Sequence, residues 1–224
     1  MFQTSHKTRR QLLEMLAAAG LTATSAALWL GGSASARAQA ASVPMIELMA
    51  EGPLPDVVMG DASAPVTIIE YASMTCPHCA AFHVEIMPKL KAEYIDAGKV
   101  RFILREFPLD PLATAGFMLA RAAGADKRNA MIDLLFSTQK TWAFGDNNIE
   151  SLAALVKQTG MTQDVFEKTL KDQALFDKVN QTRDLADKKF GVQSTPTFFI
   201  NGKRQAGAFS VDQMHALIDP LLKG

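Results

Sequence analysis

This chain of 224 residues has few cysteines, a formal net charge of zero and little internal repetition. Only two cysteines occur, so the chain cannot be a scaffold of several disulfides or a zinc ribbon with two cysteine pairs. Basic and acidic residues number 23 each, a balance that gives no electrostatic reason to expect nucleic acid as a partner. Repeats and low-complexity tracts are absent after residue 40. The composition therefore suits one domain, or one domain that carries an insertion.

The first 40 residues have the composition of an export signal. Arg9-Arg10 lie in a basic head, a weakly apolar stretch follows over residues 12–32, and residues 38–40 (Ala-Gln-Ala) fit a cleavage site. Paired arginines just before an apolar run favour a signal of the twin-arginine type. An uncleaved membrane anchor is the alternative, but Glu14 and the many small residues make this stretch a poor spanning helix. We therefore predict that residues 1–40 are a cleaved signal peptide that directs export to a periplasm-like, oxidising compartment.

The predicted mature chain is slightly acidic, with 19 basic and 22 acidic residues and a net charge of −3. Its first part, residues 41–60, contains three prolines and is interpreted as an irregular N-terminal lead-in. We predict that residues 61–224 form the folded domain.

Hydrophobic periodicity predicts the elements of this domain. Strands are expected at 66–71 and 99–105, and Pro88 should kink the helix between them. A helical block follows at about 110–190, with helices expected at 111–123, 126–140, 149–159, 162–171 and 173–190. Two strands around Asn201-Gly202, a strong hairpin signal, and a final helix complete the order. The predicted fold class is α/β: a thioredoxin-like sheet with an inserted all-helical subdomain.

The two cysteines form a single CxxC motif, Cys76-Pro77-His78-Cys79, directly after the first predicted strand. Two thiols at this spacing are typical of a redox-active dithiol. Pro77 suits the first turn of a helix, which would place Cys76 at the positive end of the helix dipole and favour its thiolate. His78 can add a hydrogen bond or a positive charge to the same sulfur. Zinc binding and a purely structural disulfide are the alternatives, disfavoured by the missing second pair and the small loop; no metal or cofactor is predicted.

The sequence resembles the DsbA-like family of thiol:disulfide oxidoreductases over nearly all of residues 60–222. The resemblance is carried by three segments: residues 69–79, which end in the CxxC motif, residues 106–109 (Glu-Phe-Pro-Leu), and residues 191–202, which contain Thr-Pro before the terminal hairpin.

The resemblance implies a role for each site residue. Cys76 would be the exposed nucleophile and Cys79 the buried resolving thiol, joined by a Cys76–Cys79 disulfide in the oxidised protein. Thr195-Pro196 would be a cis-proline loop that faces the motif. Glu70 would be a buried carboxylate beneath it.

Several side chains keep more than one interpretation. Glu70 could form an ion pair with Arg101 or Arg105, or it could relay a proton to Cys79. His83, one turn beyond Cys79, is predicted to lie on the helix surface. Met74 could belong to the core or line an apolar groove. Four apolar residues are expected to pack the helical block: Phe117, Met118, Trp142 and Phe144.

The resemblance implies an exported, monomeric oxidase. It would donate its disulfide to reduced exported proteins, and a membrane quinone-linked oxidase would reoxidise it. Thr195 keeps a disulfide isomerase or reductase open, because isomerases of the wider superfamily also carry threonine before the proline. A chaperone-like binding protein with a non-catalytic dithiol is the third interpretation.

Overall fold

The computed structural model describes residues 42–223, so the predicted signal peptide lies outside the described residues. One five-stranded sheet organises this region, in the order β1-β3-β2-β4-β5. The central strands β2 and β3 are parallel, and the other neighbouring strands are antiparallel. The strands are β1 (Val57–Met59), β2 (Val66–Ala72), β3 (Val100–Glu106), β4 (Thr197–Ile200) and β5 (Lys203–Ala206). No helix within residues 42–223 is both long and apolar enough to cross a membrane.

Helices precede the sheet, join β2 to β3, form a block between β3 and β4, and end the chain. Helix α1 (Met45–Leu48) precedes the sheet, and α2 (Pro77–Ala81) and α3 (Met87–Leu90) join β2 to β3. The block comprises α4 (Pro111–Ala122), α5 (Ala125–Ser137), α6 (Gln139–Ala143), α7 (Asn148–Lys157), α8 (Gln163–Leu170) and α9 (Gln173–Phe190). The last helix is α10 (Val211–Ile218), followed by a 3-10 turn at Asp219–Leu222. The predicted fold class, a thioredoxin-like sheet with a helical insertion, is confirmed.

The sheet is buried on both faces, which explains why β2 is apolar at odd and even positions alike. Side chains alternate along the strand. Ile68 therefore joins the large core on the face of α2 and the helical block, whereas Ile69 joins a smaller core with Phe190 of α9. Glu70 has the same parity as Ile68, so this carboxylate faces the side of the sheet that carries the CxxC motif.

Residues 42–60 are more ordered than the irregular lead-in that the sequence predicts for residues 41–60. They contain α1, with Leu48 fully buried, and the edge strand β1, whose Val58 lies opposite Ile103. The prolines did not prevent this, because Pro44 precedes α1 and Pro53 and Pro55 precede β1, where no ladder hydrogen bond is lost.

The helix after the CxxC motif is interrupted, as Pro88 predicts. Widened π-helical turns at Phe82–Ile86 and Lys91–Ile95 flank α3. A proline cannot donate to the preceding turn, and its ring crowds the carbonyl four residues back; a widened turn before it relieves both problems. The wider turn also turns two neighbouring side chains, Phe82 and His83, toward the interior. The prediction that His83 lies on the helix surface is therefore wrong.

The helical block begins and ends as the sequence indicates. Asp110 caps α4 by accepting a hydrogen bond from the Ala113 N–H at 2.7 Å. Gly191 ends α9 in the left-handed conformation, with φ of 66°. Phe117, Met118 and Trp142 are buried as expected, and Met74 belongs to the core. Phe144 is a correction: it follows the end of α6 and its side chain is exposed.

A buried charge fixes β1 to the sheet. Arg105 of β3, 7% exposed, donates two hydrogen bonds to the Asp56 carboxylate at 2.7 and 2.9 Å and one to the Tyr71 hydroxyl at 3.0 Å. Two parallel N–H···O bonds make this the strong form of an ion pair. Arg105 thus pairs with Asp56, the residue directly before β1, and holds this edge strand against β3.

We expect Asp56→Asn to lower the free energy of unfolding by about 2 to 3 kcal/mol, because the buried guanidinium of Arg105 loses its charged acceptor. Asp96→Asn is the matched control. Asp96 pairs with Lys91, but both side chains are about half exposed, so the loss should stay below about 1 kcal/mol. Urea unfolding measures both variants, and equal losses would contradict the assignment.

Candidate active site

The CxxC motif lies where β2 ends and α2 begins. Cys76 is the N-cap residue of α2, with φ of −82° and ψ of 117°, and Pro77 is its first helical residue. A helix start leaves backbone N–H groups without helical partners, so they are free to point at a sulfur. Both cysteines are free thiols in this structure. The predicted Cys76–Cys79 disulfide remains a prediction for the oxidised protein.

Cys76 is 5% exposed, so the expectation of an exposed thiol is wrong, while its role as the nucleophile stays a prediction. Its environment favours its anion. The hydrogen bond from the Cys79 thiol, together with the backbone N–H groups of Cys79 and His78, lowers the pKa of Cys76 from 9.0 to about 5, against the opposing effect of burial. The Thr195 hydroxyl, which has no other partner among the described residues, also lowers this pKa. While protonated, the Cys76 thiol donates instead to the Thr195 carbonyl at 3.3 Å.

Cys79 has the opposite environment. Its side chain is fully buried, and burial is the largest cause that raises the pKa of the Cys79 thiol. Its hydrogen bond to Cys76 and the negative charge of Glu70 raise that pKa further. One sulfur of the motif is therefore an anion near neutral pH, and the other keeps its proton.

Glu70 lies beneath the motif and is fully buried. Its partner is His83, whose Nε2 lies 2.8 Å from Glu70 Oε2. The suggested ion pair with Arg101 or Arg105 is therefore wrong; Arg105 instead pairs with Asp56 on the other face of the sheet.

Thr195 and Pro196 complete the site from the loop before β4. The Thr195–Pro196 bond is cis, in agreement with what the resemblance implies. Pro77 and His78 are both exposed beside Cys76. The backbone N–H of His78 helps to lower the pKa of Cys76.

Sequence and structure comparisons decide the family. The family model described as thioredoxin matches residues 54–220. A Bacillus cereus protein assigned as disulfide bond formation protein D is 32% identical over 174 residues, which cover 74% of this chain and 78% of that protein. The crystal structure of alpha-DsbA1 from Wolbachia pipientis superposes with a TM-score of 0.72 at 31% identity, covering 79% of this chain and 95% of that chain. The chain belongs to the DsbA-like family of the thioredoxin superfamily.

Curated relatives extend the comparison. A Rickettsia bellii protein provisionally assigned as a protein-disulfide oxidoreductase is 31% identical over 170 residues, 75% of this chain. This DsbA-like chain spans 60–65% of the length of that protein and its Rickettsia counterparts.

Two residues of the DsbA-like site were missed by sequence reasoning. His83 stacks on Phe136 of α5 with ring centroids 4.3 Å apart, which fixes the imidazole against Glu70. Gln139 of α6 reaches the segment before α2 from the helical block. His83 could have been found from the effect of Pro88 on the helix. Gln139 lies in a polar stretch, residues 137–141 (Ser-Thr-Gln-Lys-Thr), and gave no signal.

Titration of the reduced DsbA-like chain tests this geometry. We expect one thiolate to appear in the ultraviolet spectrum with a midpoint near pH 5, and it is lost as pH falls through that value. Cys79 should remain protonated at neutral pH because burial and Glu70 disfavour its anion. Cys76→Ser is the control, since it should abolish the low transition. A midpoint near 8.5, the value of an ordinary free thiol, would refute the assignment.

Proposed function

We propose that this chain is an exported thiol:disulfide oxidoreductase that donates a Cys76–Cys79 disulfide to reduced exported proteins. The observation that carries the proposal is the contrast between the two sulfurs, with the pKa of Cys76 lowered to about 5 and that of Cys79 raised. Membership of the DsbA-like family supports the same reaction.

The reaction is a pair of thiolate displacements. A substrate thiolate attacks Cys76, the Cys76–Cys79 bond breaks, and Cys79 leaves with the electron pair and takes up a proton. A second substrate thiolate then attacks the substrate sulfur of the mixed disulfide and expels Cys76 as a thiolate. The substrate gains a disulfide by losing two electrons, and the protein holds those electrons as a dithiol.

The local fold supplies the driving force for donation. Groups that stabilise the Cys76 thiolate stabilise the reduced protein and make Cys76 the better leaving group. The DsbA protein is itself the standard example of this effect. A CxxC loop is too small to add much to chain stability, which argues against a structural role.

Glu70 and His83 are proposed to handle the proton of Cys79. A buried thiolate is costly, so Cys79 needs a proton when it leaves and must lose it when it attacks. The charge of Glu70 raises the pKa of Cys79, which supports a role for this carboxylate in the proton transfer. Glu70 Oε1 and His83 Nδ1 have no other partner within residues 42–223, so the pair can accept and pass on a proton.

The sequence and the family support a proposal for the compartment and the partners. We propose that residues 1–40 are removed on export, that the mature protein acts as a monomer in the periplasm, and that a membrane quinone-linked oxidase reoxidises it. Thr195 and Pro196 are proposed to line the path of an extended substrate beside Cys76, supported by the 3.3 Å contact between Cys76 and Thr195.

A disulfide isomerase remains the second candidate, because Thr195 is the residue that such enzymes also carry before the proline. Isomerases of this fold usually use a dimerisation or trimerisation segment. A stable dimer or trimer in solution would favour that function over the oxidase.

We expect wild-type protein to oxidise a reduced substrate whose native state contains disulfides. Cys76→Ser should lose this activity completely, because the nucleophile is gone. Cys79→Ser should instead accumulate mixed disulfides of Cys76 with substrate and glutathione, since the intramolecular resolving thiol is gone and only external thiols can release them. Oxidative refolding with a defined glutathione buffer measures both. If Cys76→Ser supports refolding as well as wild type does, the enzymatic function is excluded and a binding role remains.

Glu70→Gln keeps the shape of the buried side chain but removes its charge. We expect resolution of a mixed disulfide on Cys76 by Cys79 to slow at least tenfold, because the proton acceptor is lost. Stopped-flow release of a thiol leaving group measures this step. Glu93→Gln is the matched control: Glu93 also pairs with a histidine, His215 at 2.7 Å, but at the surface. Equal rates for wild type and both variants would contradict the relay.

A further inference from the structure

The segment that leads into α2 is held by a side chain from the helical block. Gln139, 3% exposed, donates from Nε2 to the Met74 carbonyl at 2.8 Å and to the Cys76 carbonyl at 3.0 Å. These acceptors lie more than sixty residues earlier in the chain. One amide group thus joins the first residue of α6 to the backbone of the nucleophile.

The same segment is fixed on its other side. Thr75 donates to the Asp110 carboxylate at 2.5 Å, and Asp110 also caps α4. Met74 packs so closely on Gly116 of α4 that a Cβ there would lie 3.1 Å from the methionine side chain. Contacts from α4 and α6 therefore leave the backbone at 74–76 little freedom.

This restraint matters because Cys76 acts through its backbone geometry. The N–H groups of His78 and Cys79 lower the pKa of the Cys76 thiol only while Cys76 keeps its N-cap torsion angles. The Cys76 carbonyl accepts from the Ala80 N–H at 3.1 Å and from Gln139 at the same time. Two donors hold this carbonyl in place at the start of the helix.

We propose that Gln139 is a positioning residue that sets the oxidising strength of the Cys76–Cys79 pair. By fixing the carbonyls of Met74 and Cys76, its amide keeps the sulfur aimed at the free N–H groups of α2. The helical insertion thereby tunes the chemistry of the motif, although Gln139 does not contact the sulfur. The inference rests on the proposed function and names one determinant of its driving force.

Gln139→Met tests the inference, because methionine matches the length of glutamine but cannot donate a hydrogen bond. We expect the pKa of Cys76 to rise by about one unit, so alkylation at pH 5.5 should slow about threefold. The equilibrium with glutathione should shift about tenfold toward the disulfide form, about 30 mV for a two-electron couple. Gln158→Met, at an exposed position of the helical block, is the matched control and should change neither value.

Two results would overturn the inference. The first is a folded Gln139→Met variant with the alkylation profile and glutathione equilibrium of wild type. The second needs no variant. Fast exchange of the Gln139 side-chain amide protons in reduced wild type would show that the hydrogen bonds to the Met74 and Cys76 carbonyls do not persist. This measurement decides the question if Gln139→Met fails to fold. An ordinary thiol pKa in wild type itself would instead refute the proposed function, so the two failures are distinguishable.

Discussion

The arrangement depends on one interaction, the stabilisation of a negative charge on Cys76 by the start of α2. Backbone N–H groups and the Cys79 thiol converge on that sulfur, and they are strong enough to outweigh the cost of burying it. Three residues further on, the same helix carries Cys79 into an interior where no N–H group compensates for the loss of water to the same degree. A two-residue spacing thus separates a thiolate from a thiol that keeps its proton at neutral pH.

Much of the scaffold could be predicted because its signals are local. Asp110 caps a helix, Gly191 ends one, and Asn201-Gly202 turns a hairpin with φ of 44° and 85°, all set by the residue itself and its immediate neighbours. Strand β1 was missed for the converse reason. Three residues cannot specify a strand alone; its pairing with β3 and the Asp56–Arg105 ion pair come from distant sequence.

The two reacting cysteines of the site could be predicted from the sequence, but the contacts of the residues around them could not. Cys76 and Cys79 stand together in the sequence, but the partner of Glu70 depends on the phase of the helix. A regular helix would separate Phe82 and His83 by 100° about its axis, so burial of one argues for exposure of the other. The π turn before Pro88 breaks this inference and buries both.

The buried charges on the two faces of the sheet differ in how they are paired. On the face of α9, Arg105 is neutralised by Asp56; on the opposite face, Glu106 is neutralised by Arg121 of α4. Each of these buried charges has a partner of opposite sign, which is how proteins accommodate them. Glu70 has only a histidine, a partner whose charge depends on its proton. Among the buried acids of residues 42–223, Glu70, which disfavours a second anion at Cys79, is therefore the one whose neutralisation can change during a reaction. Contacts from α5 and α6 of the insertion hold both the partner of Glu70 and the backbone of Cys76 in place.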